Sequence, residues 1–394
     1  MKKIVIIISF IFLLGSCLKE PDFHSYQVNI TIDFGSEFPS GKKAGAKVTL
    51  SNQLKNYTLT TNTNSDGVVQ FDFVEPGFYT VTVSHSSQVS GNVSYFNGTK
   101  KLEVFGNTNS SVKVSIAPSN DFVIKEFYYS GSTTLAGRPY SADQYIEIYN
   151  NSPVVQYADG ISVLEHDSYG TGENYWAIIK DTVVLRMLWT IPGNGTQVPV
   201  LPGRSIVLAR TGIDHRDDPN GNPLSPVNMG HADFEFYVFN QPEKDIDSPT
   251  VPNLEEDNFV FRGSDVTFNV KGGSAIAIAK LPCSTPEERM EYIRKNIISK
   301  NSVSGSKTND YPKVADKYII DAIEVVFDEA HAIYKRFTPD LDMGYTYVNA
   351  GSGSGKCIRR KIREIIDDRV VYQDTNNSSE DFLKDVDPKP KIYE

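Results

Sequence analysis

Short segments in which polar and apolar residues alternate recur along this chain, and they constrain its fold more than any other feature. Residues 26–32 and 68–73 are examples, and the dipeptides Asp66-Gly67 and Pro76-Gly77 interrupt the pattern. Alternation with a period of two predicts strands with one buried face, and these dipeptides favour tight turns. The sequence therefore predicts an all-β protein.

The alternating segments form two groups. The first group predicts an antiparallel β-sandwich over residues 25–118, because turn residues separate its short strands and no helical pattern interrupts them. A second group follows the break at residues 118–120 and predicts another sandwich over residues 120–394 with short helices. Its segments are residues 122–129, 143–149, 159–164, 201–209, 272–279 and 318–326.

Two insertions, residues 211–263 and 284–312, depart from a compact second sandwich. Loops of this length are usually functional or disordered. The second insertion begins with a predicted helix over residues 285–299, in which Thr285 is the N-cap and Glu288 completes a capping box.

The first 16 residues have the features of a signal peptide. Lys2 and Lys3 precede an apolar run over residues 4–14, which has about half the length that spans a bilayer. Leu14-Gly15-Ser16-Cys17 resembles the bacterial lipobox, which implies cleavage before Cys17 and attachment of acyl chains such as palmitate to this cysteine. The alternative is an ordinary secretory signal with an incidental cysteine.

Residues 17–24 are interpreted as a lipidated tether. Lys19-Glu20, with Asp22 close behind, resembles the export signal of surface lipoproteins in the Bacteroidota. The expected location is the outer membrane, reached through the lipid anchor, with the protein exposed at the cell surface.

Composition argues against some partners and leaves one cysteine pair open. The formal net charge is −10, which does not favour nucleic acid or an anionic membrane face as a partner. Three cysteines are too few for a disulfide scaffold, but Cys283 and Cys357 allow one pairing in an oxidising compartment.

The turn-rich part of the first group has a family resemblance. Residues 61–71 and 75–79 resemble the successive hairpins of carboxypeptidase-regulatory-like, or prealbumin-like, domains. Asn62 to Gly67 also mimic half of a calcium loop, but Phe73 occupies the position that requires a bidentate acid. We therefore interpret this segment as a turn.

The second group resembles the lamin-tail domain, an immunoglobulin-like sandwich, over most of residues 121–365. The ordered pattern includes Glu126, residues 143–150, Pro202-Gly203 and residues 321–325. The whole chain resembles an uncharacterised family of Bacteroidota lipoproteins that end in a motif like residues 374–382. The family resemblance does not indicate an activity, and the lamin-tail resemblance implies a binding or spacing module.

Two sets of side chains are candidates for a site. Imidazole and carboxylate groups of the first insertion could bind a divalent cation, with a solvated acidic loop, a structural calcium or a catalytic metal as the alternatives. Aromatic side chains could form a platform for sugars or peptides, or belong to the core. The metal candidates are Asp214, His215, Asp217, Asp218, His231 and Asp233, and the aromatic candidates are Tyr169, Tyr175, Trp176 and Trp189.

The functional hypothesis is a non-enzymatic surface lipoprotein without a cofactor. It would bind a ligand or a protein partner as an accessory of an outer-membrane TonB-dependent uptake system. One alternative is a metal-assisted hydrolase, a nuclease or phosphoesterase, that uses the 214–233 insertion. The other is a structural or adhesive spacer.

Overall fold

The computed structural model describes most of the chain after the predicted leader. The predicted signal peptide, Cys17 and all of the predicted tether except His24 lie outside the described residues. The described residues are 24–35, 38, 42–52, 55, 57–89, 92–116, 121–168, 174–241, 245, 247–259, 265–301 and 308–394. Regular structure is almost entirely β, which confirms the predicted fold class.

The first domain packs two sheets face to face. In the described residues, one sheet has the order β4-β1-β7, with β7 parallel to β1, and the other has the order β3-β2-β5-β6-β8. The strands are β1 (Tyr26–Asp33), β2 (Lys47–Asn52), β3 (Tyr57–Asn62), β4 (Val68–Val74), β5 (Gly77–Val89), β6 (Asn92–Val104), β7 (Thr108–Lys113) and β8 (Ser115–Ile116).

The alternating pattern of the first domain builds its core. Val28 and Ile30 of β1, Val48 of β2 and Val81 of β5 are fully buried in one apolar cluster between the two sheets. The intervening residues face solvent, as the period of two requires.

The second domain is a larger sandwich. Its strands are β9 (Phe122–Tyr128), β10 (Ser132–Thr133), β11 (Pro139–Tyr140), β12 (Tyr145–Asn150), β13 (Gln156–Tyr157), β14 (Ile161–His166), β15 (Thr182–Thr190), β16 (Pro199–Val200), β17 (Ser205–Ala209), β18 (Phe234–Glu235), β19 (Glu255–Phe259), β20 (Ser274–Lys280), β21 (Ile297–Asn301), β22 (Thr308–Ala315), β23 (Ile319–Val325), β24 (Cys357–Arg360), β25 (Ile362–Ile366), β26 (Arg369–Tyr372) and β27 (Phe382–Val386).

Two sheets enclose the core of this domain. Over the described residues, one sheet has the order β18-β17-β12-β9-β24-β27, and the other has the order β21-β22-β15-β14-β20-β23 with β19 paired to β15. Ile146 and Ile148 of the first sheet share a buried apolar cluster with Val163 and Trp189 of the second. The pairs β10-β11, β13-β16 and β25-β26 form small ribbons beside these sheets.

Helices are short. The α-helices of the described residues are α1 (Pro286–Lys295) and α2 (Ser378–Asp381), and Asp316–Tyr318 and Glu329–Tyr334 form 3-10 helices. Thr285 Oγ1 accepts the Glu288 N–H at 3.2 Å, so α1 begins at the predicted capping box. It ends before residue 299, because Ile297 starts strand β21 and pairs with β22.

The 211–263 insertion is packed into the second domain in its described part. Met229, Phe236, Val251 and Leu254 are all buried. Strands β18 and β19 add to the edges of the two main sheets. The sequence predicts a long functional or disordered loop here, but the described residues are packed. The alternating residues Phe234, Phe236 and Val238 are buried, and the polar and proline-containing stretches around them concealed this signal.

The C-terminal residues cross the outer face of the six-stranded sheet. The Lys389 N–H donates to Glu126 Oε1 at 2.8 Å, and the Lys391 N–H donates to Glu147 Oε1 at 3.1 Å. Both glutamates are fully buried. The tail therefore covers carboxylates that would otherwise face water.

Cys283 and Cys357 are free thiols, so the pairing left open by the sequence is not formed. Cys357 packs with Tyr128 and Tyr145 on the outer face of one sheet, whereas Cys283 packs against Leu164 and its neighbours outside the other. Packed sheets lie about 10 Å apart, whereas a disulfide requires Cα atoms within about 7 Å. No helix in the described residues is long and apolar enough to cross a membrane.

Candidate functional site

The structure does not gather the six metal candidates into one ligand set. His215 is fully buried, and its Nδ1 lies 2.8 Å from the Tyr140 hydroxyl. His231 is exposed on a turn. Burial lowers the pKa of His215 to about 4, so its ring is neutral at pH 7.

The carboxylates of this set have other partners. Asp233 Oδ2 accepts the Val207 N–H at 2.7 Å, and Oδ1 pairs with Lys391 Nζ at 2.8 Å. Asp214 binds Asn228 and Arg216. Asp218 accepts the N–H of Asn220, two residues along, and Asp217 is exposed. In the described part of the chain, no group of three or more His, Cys, Asp or Glu side chains is placed to hold a metal ion.

The aromatic candidates do not form one platform. Trp189 is fully buried in the core, and Trp176 is only 5% exposed, with its Nε1–H donated to Asp167 at 2.9 Å. Tyr175 is exposed, and Lys300 Nζ lies 4.7 Å from the ring centroids of both Tyr175 and Trp176. Tyr169 lies outside the described residues. The buried tryptophans therefore serve packing.

A cleft between the two domains brings polar groups together. Its volume is about 280 Å³, close to the lower limit of about 300–1,000 Å³ for small-molecule sites, which occur preferentially at domain interfaces. The lining residues are Gly45, Ser84, His85, Ser86, Asn97, Gln373, Thr375 and Glu380.

Strands β5 and β6 provide the first-domain wall of the cleft. Ser84 pairs with Asn97 in this long hairpin, so a hydroxyl and an amide lie side by side on one face of the strands. His85 is on the opposite face, where its ring contacts Phe34 and Phe38. His85 Nε2 lies 2.9 Å from the Lys42 carbonyl oxygen. Burial lowers the pKa of His85, which favours the neutral ring.

Two contacts join the walls across the cleft. Lys47 Nζ lies 2.6 Å from Glu380 Oε1, and both side chains are nearly half exposed. The Asn97 side-chain amide donates to the Thr375 carbonyl oxygen. Exposed ion pairs contribute little stability, so the salt bridge can exchange for a ligand at small cost.

The second-domain wall consists of Gln373, Thr375 and Glu380, of which the last two belong to the motif of residues 374–382. Asp381 accepts the Thr375 N–H at 2.9 Å and the Gln373 amide at 3.1 Å. The Ser378 N–H donates to buried Asp342 at 2.9 Å. These bonds fix the backbone that presents Gln373, Thr375 and Glu380 to the cleft.

Arg360 lies behind this wall with three carboxylates. Its guanidinium pairs with Asp321, with Asp374 at 3.3 Å and with Asp381 at 3.5 Å, and all four side chains are buried or nearly so. Burial and the charge of Asp321 raise the pKa of Asp374 to about 7, against the opposing effect of Arg360. One arginine thus holds three acids, and burial favours the protonated form of Asp374.

Sequence reasoning did not find the cleft. The sequence singles out residues 374–382 only as a family motif. Asn97 and Thr375 are 278 positions apart, so no spacing in the sequence links them. The concentration of Asp, Asn, Ser and Thr in residues 374–382 was the one available signal.

The fold and the cleft together define the class of protein, which is an all-β protein of two sandwiches with a polar interdomain cleft. Residues 201–389 match DUF4876, described as a protein family of unknown function, and this range includes the second-domain wall of the cleft. A crystal structure of a DUF4876 family protein from Bacteroides thetaiotaomicron is 27% identical, with a TM-score of 0.60, and the alignment covers 92% of this chain and 96% of that one. Both matches support the resemblance to an uncharacterised Bacteroidota family.

Two further solved structures match less of the chain. A putative carbohydrate binding protein from Pseudomonas aeruginosa is 15% identical with a TM-score of 0.18, covering 23% of this chain and 88% of its own. A DUF3823 family protein from Parabacteroides merdae is 12% identical with a TM-score of 0.19, covering 37% of this chain and 67% of its own. These TM-scores are too low for either match to indicate the fold or the function of this chain. No curated protein matches the sequence.

Proposed function

We propose that this protein is a non-enzymatic lipoprotein of the outer membrane, exposed at the cell surface, that binds a small polar ligand between its two domains. The observation that carries the proposal is the interdomain cleft. Its walls combine serine hydroxyls, side-chain amides, a neutral imidazole and the Glu380 carboxylate. This set suits a hydroxyl-rich ligand without negative charge, such as one sugar unit.

The lipobox-like residues before Cys17 and the Lys19-Glu20 dipeptide support the location. A binding protein tethered to the outer surface is placed to deliver its ligand to an uptake barrel. We therefore propose a TonB-dependent transporter as its partner. The hydrolase alternative depended on His215 and His231, and the burial of His215 beside Tyr140 gives it no support, so we do not propose it.

Ligand binding is tested by titrating the purified protein with glucose, galactose, mannose, xylose and N-acetylglucosamine and their short oligosaccharides in a calorimeter. Glu380→Gln and Ser84→Ala are expected to weaken binding of a sugar that binds the wild type. Glu291→Gln on the exposed face of α1 is the matched control and is expected to leave it unchanged. Equal affinity of the Glu380 variant and wild type would place the site elsewhere.

The partner is tested by purifying a C-terminally tagged protein from native outer membranes and identifying the proteins that accompany it. Stoichiometric recovery of a transporter barrel is the expected result. Recovery of the protein alone, together with no sugar binding, would favour a structural or adhesive spacer. Intact mass of the same sample reports whether Cys17 carries acyl chains.

A further inference from the structure

Among the described residues of the first domain, three phenylalanines are exposed. Phe73 is 81% exposed, Phe78 is 59% exposed and Phe105 is 58% exposed. The rings of Phe78 and Phe105 meet edge to face, with their centroids 5.5 Å apart. We call these three residues the phenylalanine surface. Exposed aromatic rings grouped in this way mark interaction sites more often than scattered single residues do.

The phenylalanine surface lies at the end of the domain where the chain enters it. Phe73 precedes Val74, which pairs with Tyr26 at the start of β1. Gly77, beside Phe78, pairs with Val104, beside Phe105. The Gln27 N–H donates to the Asn107 side chain at 3.0 Å, which brings the turn after Phe105 against β1.

The backbone at Phe73 is strained. Its φ is +60°, a left-handed conformation that glycine adopts readily and bulky residues rarely do. The register shift between Tyr26 and Val28 places this residue at a bulge opposite β1. Packing in this chain does not require the ring, because most of it is exposed. A strained, exposed aromatic residue therefore points to a role outside the fold.

The tether limits how far this end lies from the lipid anchor. Six residues, 18–23, separate Cys17 from His24, where the described part of the chain begins, and the seven-residue step from Cys17 to His24 reaches at most about 25 Å. An acylated Cys17 would therefore hold the Tyr26 end of the first domain close to the bilayer.

We propose that the phenylalanine surface rests on the lipid bilayer, with its rings in the boundary between headgroups and acyl chains. The proposal rests on the lipid anchor of the proposed function and adds the orientation of the protein. With the first domain in contact with the membrane, the interdomain cleft is held above it by the length of one sandwich.

Charge at this end indicates which lipids take part. Lys55 pairs with Glu75 at 2.9 Å. Asp72 precedes Phe73 in the chain, and Glu103 pairs with Phe78 across β5 and β6. A cluster of basic residues, which would attract anionic headgroups, is not present among the described residues of this end. Contact by apolar burial alone is expected to be insensitive to salt and to the fraction of anionic lipid.

The test places tryptophan reporters in the acylated full-length protein, reconstituted into phosphatidylcholine vesicles. Phe73→Trp, Phe78→Trp and Phe105→Trp are compared with Phe239→Trp, which replaces a phenylalanine of the second domain that is 77% exposed. Brominated lipid is expected to quench the emission of the three reporters by about half, since an interfacial ring sinks about 5–10 Å into the boundary. Trp176 and Trp189 are buried and contribute the same background to every variant.

The outcomes separate this inference from the proposed function. Quenching of the three reporters but not of Phe239→Trp supports the orientation. Reporters that stay accessible to acrylamide and are not quenched, in a protein whose mass shows acyl chains, overturn the orientation and leave the anchor standing. Shielding of the reporters in dimers without vesicles would assign the surface to a second copy. A mass without acyl chains overturns the lipid anchor of the proposed function and, with it, the orientation, and it leaves ligand binding in the cleft to its own test.

Discussion

The Lys125 ammonium lies 2.8 Å from the Glu147 carboxylate, and neither side chain has any exposed surface. The two residues come from neighbouring strands, β9 and β12, and their outer face is closed by the C-terminal tail. Lys125 Nζ also donates to the Lys389 carbonyl oxygen at 3.2 Å. A buried charge is stable only when it is paired and hydrogen-bonded, so the tail is part of the fold.

Lys125→Met is expected to destabilise the second domain by about 3–5 kcal/mol, because it leaves the Glu147 carboxylate buried without its cation. Chemical denaturation followed by tryptophan fluorescence reports this domain, since Trp176 and Trp189 both lie in it.

Lys295→Met is the control: it breaks an exposed pair with Glu291 and should cost less than about 1 kcal/mol. The double variant Lys125→Met with Glu147→Leu should recover part of the loss. Equal costs for the buried and the exposed pair would contradict this explanation.

The free energy of unfolding of Asp374→Asn is expected to increase relative to that of wild type as pH rises from about 4 to about 7. Burial raises the folded-state pKa of Asp374 to about 7, above the usual value of 3.8, so the folded protein holds a proton that the unfolded chain has released. Stability from this group is therefore present at low pH and lost as pH rises through that window, by at most about 1.4 kcal/mol per pH unit.

The measurement is the free energy of unfolding of both proteins at several pH values between 4 and 8. Asp66→Asn, on an exposed turn of the first domain, is the control and should show no such trend. A difference between Asp374→Asn and wild type that stays constant with pH would show that Asp374 does not hold its proton in the folded state.

His215→Phe is expected to reduce the loss of stability on acidification. Burial lowers the folded-state pKa of His215 to about 4, below the usual 6.5, so unfolding takes up a proton between these values. The stability contributed by the neutral ring is complete above pH 6.5 and falls toward pH 4, by up to about 1.4 kcal/mol per pH unit. His231→Phe changes an exposed ring and should follow the wild-type profile.

Chelation is expected to leave stability unchanged. Asp214 and Asp233 have cationic and amide partners within the protein, and His215 is turned toward Tyr140. The melting temperature is measured with and without excess EDTA after metal analysis of the purified protein. A stoichiometric metal, or a fall of several degrees on chelation, would restore the insertion as a metal site.

Local patterns in the sequence predict the strands, whereas contacts between residues that are far apart in the chain could not be predicted. The alternation in residues 26–32 predicts β1 because each residue's exposure follows from its own position in a strand. The burial of His215 depends on Tyr140, 75 positions earlier, and the cleft depends on Asn97 meeting Thr375. Phe73 ends an alternating segment, and only the bulge beside β1 shows that its ring is exposed and its backbone strained.

Phe73→Gly is expected to raise the free energy of unfolding of the first domain and to weaken its contact with the membrane. A bulky residue in the left-handed region costs about 1–2 kcal/mol, and glycine removes that cost. Glycine also adds some freedom to the unfolded chain, so the free energy of unfolding in detergent-free buffer is expected to rise by a net amount of about 1 kcal/mol. Val69→Gly in the same strand is the control, because Val69 is buried and its loss should destabilise the domain. Stability is measured by denaturation, and membrane contact by the quenching of Trp introduced at Phe78. If Phe73→Gly loses stability, the ring serves the fold. If it gains stability and the quenching of the reporter at Phe78 is reduced, the strained backbone at Phe73 is retained for contact with lipid.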